Sequence, residues 1–394
     1  MPSSLVPTIA AADARVQPRW PLGSLSVDQF MRQHWQRRAV LLRQALPGIA
    51  PPLPLDELLQ LAAEEDVESR LISAFSGRWR LQHGPFEPDA LPPLTRKRWT
   101  LLVQGVDLHD DRAHALLERF RFVPDARVDD LMISVASDGG GVGPHTDSYD
   151  VFLVQVWGRR RWRVARPRPH ALIPNLPLKM LADFEPEQEF VLDPGDILYL
   201  PPGWGHDGIA EGPCMTCSVG FRAPSRHEFL SALLADAADA IAGADPRFTD
   251  RGRAAARRPG ELPADLRRQL SAWAHDWRPD ARQVNEFIGR FLTEPKPQVW
   301  FDSADLPSPR AFAERAGRAG LRLDRRSRML YRGRQLFING EAVAADAPAL
   351  QWLRTLADRR HLTAAAAQQA LAHPICADLL RQWCSHGWLH INKA

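Results

Sequence analysis

Residues 69–223 break into eight short runs rich in aliphatic, β-branched and aromatic residues: "SRLISAF", "RWRLQH", "RWTLLVQGV", "DLMISVAS", "YDVFLVQVWG", "RRWRVA", "EFVLDPGDILYLP" and "MTCSVGFRA". Gly, Pro and Asp turns separate them at fairly regular spacing. Many short strands closed by such turns predict a sandwich or a small barrel. Helices come first. Ser26 and Gln29 have the spacing of a capping box opening a helix through Trp35, "AVLLR" follows as a strand, and "LDELLQLAAEED" reads as a second helix.

A chain of 394 residues exceeds what one hydrophobic core holds, which implies two or three domains. The pattern changes near residue 226: "RHEFLSALLADAADAIAGA" and "PADLRRQLSAWAHDW" are helical, and few strands appear before 297. The apolar stripe of "FLSALLADAADAI" is more than a small domain buries alone, so a homodimer through this region is expected. "RGRAAARRPGELP" has the composition of an exposed linker. In the last hundred residues, Asn339-Gly340 within "RMLYRGRQLFINGEAV" signals a hairpin. Three short helical segments begin near Pro348, Thr363 and Cys376, and "WLHI" closes the chain as a strand. Helices beside such a β-wing read as a winged helix. Its helices "TAAAAQQALAHP" and "CADLLRQWCSHG" are poor in Arg and Lys, so sequence-specific DNA binding is not expected and a docking or dimer-supporting role is.

Composition excludes several classes. At 45% hydrophobic and 25% charged residues the chain is ordinary for a globular protein, not a disordered one. The longest apolar runs carry charges and fall short of a membrane span, and the first twenty residues lack a basic start followed by an apolar block. Four cysteines make no disulfide framework, which points to a reducing cytoplasm. The formal net charge of +3 permits an RNA-rich partner without demanding one.

Two stretches carry chemistry: "GPHTDSYD" at 143–150 and "LPPGWGHDG" at 200–208. On a strand, His145 and Asp147 share a face and reach one point. One imidazole and one carboxylate leave a metal site incomplete, and His206, delivered by a stiff Pro-Pro-Gly turn, is the best third ligand. Two histidines and one carboxylate on one face of a metal, with the other positions open, suit non-haem Fe(II) that activates oxygen. A zinc hydrolase also uses such ligands, but no general-base Glu accompanies the motif.

"GGGVGPHTDSYDVFLVQVWGRRRWRV", "LPPGWGH" and "SVGFRAP" resemble the JmjC-type 2-oxoglutarate oxygenases, and among them the bacterial ribosomal oxygenases that hydroxylate an arginine of a large-subunit (50S) ribosomal protein. The resemblance is dense over roughly residues 20–224 and continues as an order of parts. It implies an α+β chain: a double-stranded β-helix (cupin/JmjC) catalytic domain at 1–225, a helical dimerisation region at 226–296 and a winged-helix-like domain at 297–394. It implies Fe(II) as cofactor, 2-oxoglutarate and O2 as co-substrates, and hydroxylation at the β-carbon of the target. The family also places a basic residue two positions before a tryptophan, to hold the far carboxylate of 2-oxoglutarate. Arg160 has that place in "GRRRWRV", with Trp162 and Val164 on its face and Arg159 and Arg161 on the other. Ser134, facing the same interior, is a hydroxyl donor for the co-substrate, and Thr216 is a further candidate.

In "DDLMIS", residues Asp130, Met132 and Ser134 alternate onto one face, and Tyr149 continues the face of His145 and Asp147. An acid, a thioether and a ring suit an arginine: the carboxylate pairs the guanidinium while Met132 and Tyr149 sandwich its plane. The alternatives are hydroxylation of histidine or another residue on the same fold, or a non-catalytic ribosome-binding module. "CMTC" at 214–217 could suggest redox or zinc chemistry, but residues three apart on a strand face opposite sides, so both cysteines read as core.

Overall fold

The structure is a computed structural model that describes residues 6–10, 20–75, 78–239, 247–252, 258, 260–276 and 279–392. The proposed linker at 251–263 lies partly outside the described residues. The capping box forms as expected: Ser26 Oγ accepts from the Gln29 amide and the Gln29 side chain accepts from the Ser26 amide, opening α1 (Val27–Gln33). Helices α2 (Leu55–Leu61) and α3 (Asp111–Glu118) complete the N-terminal part.

Ten strands build one sheet: β1 (Thr8–Ile9), β2 (Val40–Leu42), β3 (Ser69–Phe75), β4 (Arg78–His83), β5 (Trp99–Val103), β6 (Val128–Ala136), β7 (Asp150–Ala165), β8 (Gln188–Leu192), β9 (Ile197–Leu200) and β10 (Gly205–Phe221). They pair in the order β1-β2-β9-β7-β10-β6-β5-β3-β4, with β8 added to β7. The runs "YDVFLVQVWG" and "RRWRVA" are one continuous strand of 16 residues rather than two. Strand β7 changes partners along its length. Residues Val151–Val154 of β7 pair with β9, whereas Arg160–Val164 pair with β8. Between them Gly158 adopts φ +60°, and a Cβ there would lie 2.2 Å from the Pro213 carbonyl oxygen. Only glycine lets β7 cross β10 so closely at this bend. The ladder between β7 and β10 is irregular from Glu211 to Met215, beside the same point. Folding two long strands over in this way gives the layers of a double-stranded β-helix, as expected. Its larger core gathers Phe30, Trp99, Phe120, Phe152, Tyr199 and Phe221, all at most 2% exposed. A smaller core gathers Trp162, Val164, Leu192 and Trp204. Cys214 and Cys217 are buried and unbridged, as expected for core residues.

Beyond the sheet, α4 (Arg226–Asp239) and α6 (Ala281–Thr293) pack through Phe229, Leu233, Phe287 and Phe291, and Arg290 donates twice to Asp236 at 2.7 Å. Helix α5 (Ala264–Asp276) lies between them in the chain, and the side chains of Leu230, Leu234 and Leu270 are exposed. The C-terminal unit comprises α7 (Pro309–Ala319), β11 (Leu321–Leu323), β12 (Met329–Arg332), β13 (Gln335–Ile338), β14 (Glu341–Val343), α8 (Ala347–Arg359), β15 (His361–Leu362), α9 (Ala364–Leu371), α10 (Pro374–Ser385) and β16 (Leu389–Ile391). The hairpin turn falls on Asn339 and Gly340, at φ +47° and +85°, the positive values that such a turn demands. Helix α6 also packs on this wing, where Gly289 leaves room for the Phe337 ring. Arginines fasten the unit to the N-terminal part of the chain: Arg325 donates to the Leu108 carbonyl at 2.8 Å and pairs with Asp111, and Arg328 donates to the Asp129 carbonyl at 2.9 Å.

Candidate active site

His145 lies in the loop between β6 and β7, not on a regular strand as its spacing suggested. A single antiparallel bridge holds it: the His145 amide donates to the His206 carbonyl at 3.0 Å and the His206 amide returns the bond at 2.9 Å. That bridge lays the loop along the first residues of β10, so alternation still turns both rings to one side, with centroids 4.2 Å apart. Asp147 is fixed by the second motif, its carbonyl accepting from the Gly203 amide at 2.8 Å. Gly203 is at φ +80° in the Pro-Pro-Gly turn, a conformation open to glycine.

Ring orientation settles what the imidazoles offer. The Nδ1 atoms of His145 and His206 lie 2.9 and 3.0 Å from the carbonyl oxygens of Gly143 and Trp204. A carbonyl only accepts, so each Nδ1 carries the proton and each Nε2 presents a lone pair. Asp147 Oδ1 stands 3.9 Å from His145 Nε2, and its Oδ2 3.5 Å from His206 Nε2. The three side chains form the one group among the described residues whose donor atoms could hold a metal ion, all lying within 4.8 Å of one another. Burial, then the neighbouring His145, lowers the pKa of His206. The neutral, ligating form is therefore favoured.

Arg160 is buried on β7, while Arg159 and Arg161 turn outward to Glu211 and Glu189. Arg160 Nη1 donates to Ser134 Oγ at 3.1 Å, but its Nε and Nη2 are buried with no hydrogen-bond partner among the described residues. Buried guanidinium donors are costly to leave unpaired, and a carboxylate fits two of them at once. The donor set and these orphaned atoms thus fit a divalent metal and a dicarboxylate acid together. Gly208 admits the Trp162 ring, since a Cβ would stand 2.6 Å from it. Thr216 is placed differently from its expectation: its hydroxyl donates to Gln155 Oε1 at 2.9 Å, and it does not line the cavity.

The cavity spans about 610 Å³, and its lining includes His145, Asp147, Arg160 and His206 together with Asp130, Met132 and Tyr149. The three candidate substrate residues therefore share one space with the candidate metal ligands. Asp130 is 3% exposed and already partnered: its Oδ2 accepts from Gln104 Nε2 at 2.8 Å and from Lys296 Nζ at 3.0 Å. Sequence reasoning missed Gln104 and Lys296. Neither has a local signature, because their roles arise from pairings 26 and 166 residues distant.

Comparison with known proteins places this arrangement. The JmjC domain model matches residues 115–229 and the ROXA-like winged helix model matches residues 274–390. The chain is 35% identical over 374 residues to the Escherichia coli "Ribosomal protein uL16 3-hydroxylase", covering 93% of this chain and 97% of that protein. A "Probable ribosomal oxygenase" of Haemophilus influenzae is 37% identical over 200 residues, half of this chain and 49% of that one. The Escherichia coli ribosomal oxygenase YcfD, solved in complex with cobalt and 2-oxoglutarate, superposes with a TM-score of 0.78 at 33% identity, over 93% of this chain and 98% of that one. The C-terminal winged helix read from the Asn339-Gly340 hairpin and its neighbouring helices is thus shared with these relatives. This chain belongs to the JmjC-domain ribosomal oxygenases.

Proposed function

We propose that this chain is an Fe(II)- and 2-oxoglutarate-dependent hydroxylase of the large-subunit ribosomal protein uL16, acting at the β-carbon of an arginine. The observation that carries the reading is the buried Arg160, which lines the same cavity as the His145, Asp147 and His206 group and keeps two guanidinium donors unpartnered among the described residues. The likeness to the uL16 3-hydroxylase of Escherichia coli and the 2-oxoglutarate complex of YcfD support it.

In this reading His145, Asp147 and His206 hold the metal from one side and leave its other positions open. Bound there, Fe(II) with 2-oxoglutarate and O2 supplies the oxidising power that inserts one oxygen atom into an unactivated C–H bond. The chain's own residues do the positioning. Arg160 grips the distal carboxylate of 2-oxoglutarate, and Ser134 fixes the guanidinium that does so. Trp162, Val151 and Leu153 add apolar surface to the lining of the same cavity. Asp130 receives the target guanidinium, and Met132 and Tyr149 flank its plane.

We assign residues 1–225 to catalysis, 226–296 to dimerisation and 297–394 to the winged helix. The exposed Leu230, Leu234 and Leu270 supply the apolar face through which two copies pair. Light scattering should give twice the 44.2 kDa chain mass; a monomer at micromolar concentration would remove that part of the reading. No helix of the described residues is long and apolar enough to cross a membrane. A ribosomal substrate and unbridged cysteines both fit a cytoplasmic setting.

The deciding measurement is intact-mass analysis of ribosomal proteins from wild-type and deletion strains. One large-subunit protein should be about 16 Da lighter in the deletion strain, the mass of one oxygen atom, and fragmentation should place the loss on an arginine. Identical mass spectra would end the proposal, and a loss mapped to histidine would move it to another residue class.

A further inference from the structure

A group from outside the catalytic domain reaches Asp130, one of the cavity's lining residues, from an adjoining cleft. Lys296 lies in "EPKP", just after α6 and within the region matched by the winged-helix model. Pro295 and Pro297 flank it, and a residue before proline is kept out of helical backbone. The segment is tied down beside it, where Thr293 Oγ1 accepts from the Gly340 amide at 3.1 Å. Lys296 Nζ reaches Asp129 Oδ1 at 2.9 Å and Asp130 Oδ2 at 3.0 Å.

Two arrangements could follow from an ammonium at this place. Lys296 could occupy the position of the substrate cation and block it, or it could orient Asp130 from behind. The geometry separates them. Lys296 is not among the residues lining the catalytic cavity; it lines the adjoining cleft with Arg222, Glu228 and Arg328. It shares Asp130 Oδ2 with Gln104, so both donors sit on one oxygen. The other oxygen, Oδ1, lies 3.7 Å from where a Cβ of Gly220 would stand, and the Tyr149 ring lies equally near that point. Oδ1 therefore faces the cavity wall that Tyr149 and Gly220 make. A third acid, Asp107, accepts from the Leu131 amide, and Arg328 approaches Asp129 at 4.0 Å. Three carboxylates this close repel one another unless cations offset them. Burial by itself would lower the pKa of Lys296, but Asp130 and Asp129 outweigh it and raise it, so the ammonium form persists.

We propose that Lys296, supplied by the C-terminal region, is a positioning residue for substrate selection: it fixes Asp130 Oδ2 and leaves Oδ1 as one oriented acceptor for the target guanidinium. The catalytic domain alone then lacks a complete substrate pocket. The inference rests on the arginine reading given above and assigns a task in substrate selection to the chain beyond the catalytic domain.

The test compares wild type, Lys296→Met and Lys296→Arg on overlapping peptides that tile uL16, with iron and 2-oxoglutarate present. Lys296→Met should raise KM for the arginine peptide about tenfold with a smaller change in kcat, because the acceptor loses its orientation and not the oxidant. The dissociation constant of the same labelled peptide, measured by anisotropy without oxygen, should rise in parallel. Lys296→Arg should recover most of both. If Lys296→Met melts early, Gln104→Leu removes the other donor to Oδ2 and should shift KM in the same direction. An unchanged KM and dissociation constant in Lys296→Met would overturn the proposal, and a lower KM would show that Lys296 competes with substrate. Failure of the wild type to hydroxylate any arginine peptide would overturn the arginine reading itself, and this inference with it.

Discussion

Arg160 Nη1 donates to Ser134 Oγ at 3.1 Å, and this bond ties down one arm of a buried guanidinium whose residue lines one cavity with the His145, Asp147 and His206 group. Ser134 in turn donates to the Thr216 carbonyl, so β6, β7 and β10 together hold one arginine in place. Thr216 serves this arrangement through its backbone carbonyl, while its hydroxyl is spent on Gln155.

Arg160→Ala should therefore weaken 2-oxoglutarate binding by roughly 1.5–3 kcal/mol, about one to two decades. Arg159→Ala should leave it unchanged, since Arg159 faces Glu211 on the outer side of the strand. Titration calorimetry of the two variants with 2-oxoglutarate makes the comparison. Equal losses would mean that Arg160 is not the carboxylate anchor.

His145→Ala and His206→Ala should each abolish bound iron and turnover while far-ultraviolet circular dichroism stays native. A site that keeps open positions has few ligands to spare, and the backbone bridge between the two residues does not need their rings. Metal content by mass spectrometry reads the loss directly. Full iron occupancy in both variants would refute the ligand assignment.

Asp130→Asn keeps the shape of the side chain and removes its charge. Activity on an arginine peptide should fall by roughly 2–5 kcal/mol if the ion pair is desolvated. A lysine in place of the target arginine should also be a poorer substrate, because ammonium lacks the planar fork that Met132 and Tyr149 would flank. Hydroxylated peptide measured against succinate released gives both answers. Unchanged product from Asp130→Asn would leave Asp130 only as a partner of Lys296.

The winged helix offers a pH test away from the site. Burial alone would raise the Asp324 carboxyl, but hydrogen bonds from His390 at 2.8 Å and from Arg326 at 2.8 Å outweigh it and hold it well below the usual carboxylate range. A folded value below the unfolded one means that the native state favours the ionised form. The stabilisation is complete above the unfolded value of 3.8 and is lost as pH falls toward the folded one. Asp324→Asn should cost about 1–3 kcal/mol at pH 7, and the gap to wild type should close on acidification. Urea unfolding followed at several pH values measures it. A gap constant down to pH 3 would show that the hydrogen-bond shape matters and the charge does not.

Local patterns carried most of the architecture. The Ser26–Gln29 capping box and the Asn339-Gly340 turn are properties of neighbouring residues and form where the sequence places them. The runs between 69 and 223 all fall on strands, although "EFVLDPGDILYLP" divides into β8 and β9 and β10 begins ten residues before "MTCSVGFRA". The two motifs around His145 and His206 were also legible, since each carries its own glycines and prolines. Strand alternation separated Arg160 from Arg159 and Arg161 for the same reason: a period of two needs no knowledge of the rest of the chain. Tertiary structure alone decided the remainder. It joined two apparent strands into β7 through the close approach of Gly158 to Pro213, and it put His145 in a loop that behaves as a strand only because His206 pairs with it. It also gave Asp130 a lysine from 166 residues away. Long-range charge pairing follows where modules dock, and docking depends on surfaces assembled from many segments rather than on any one stretch of sequence.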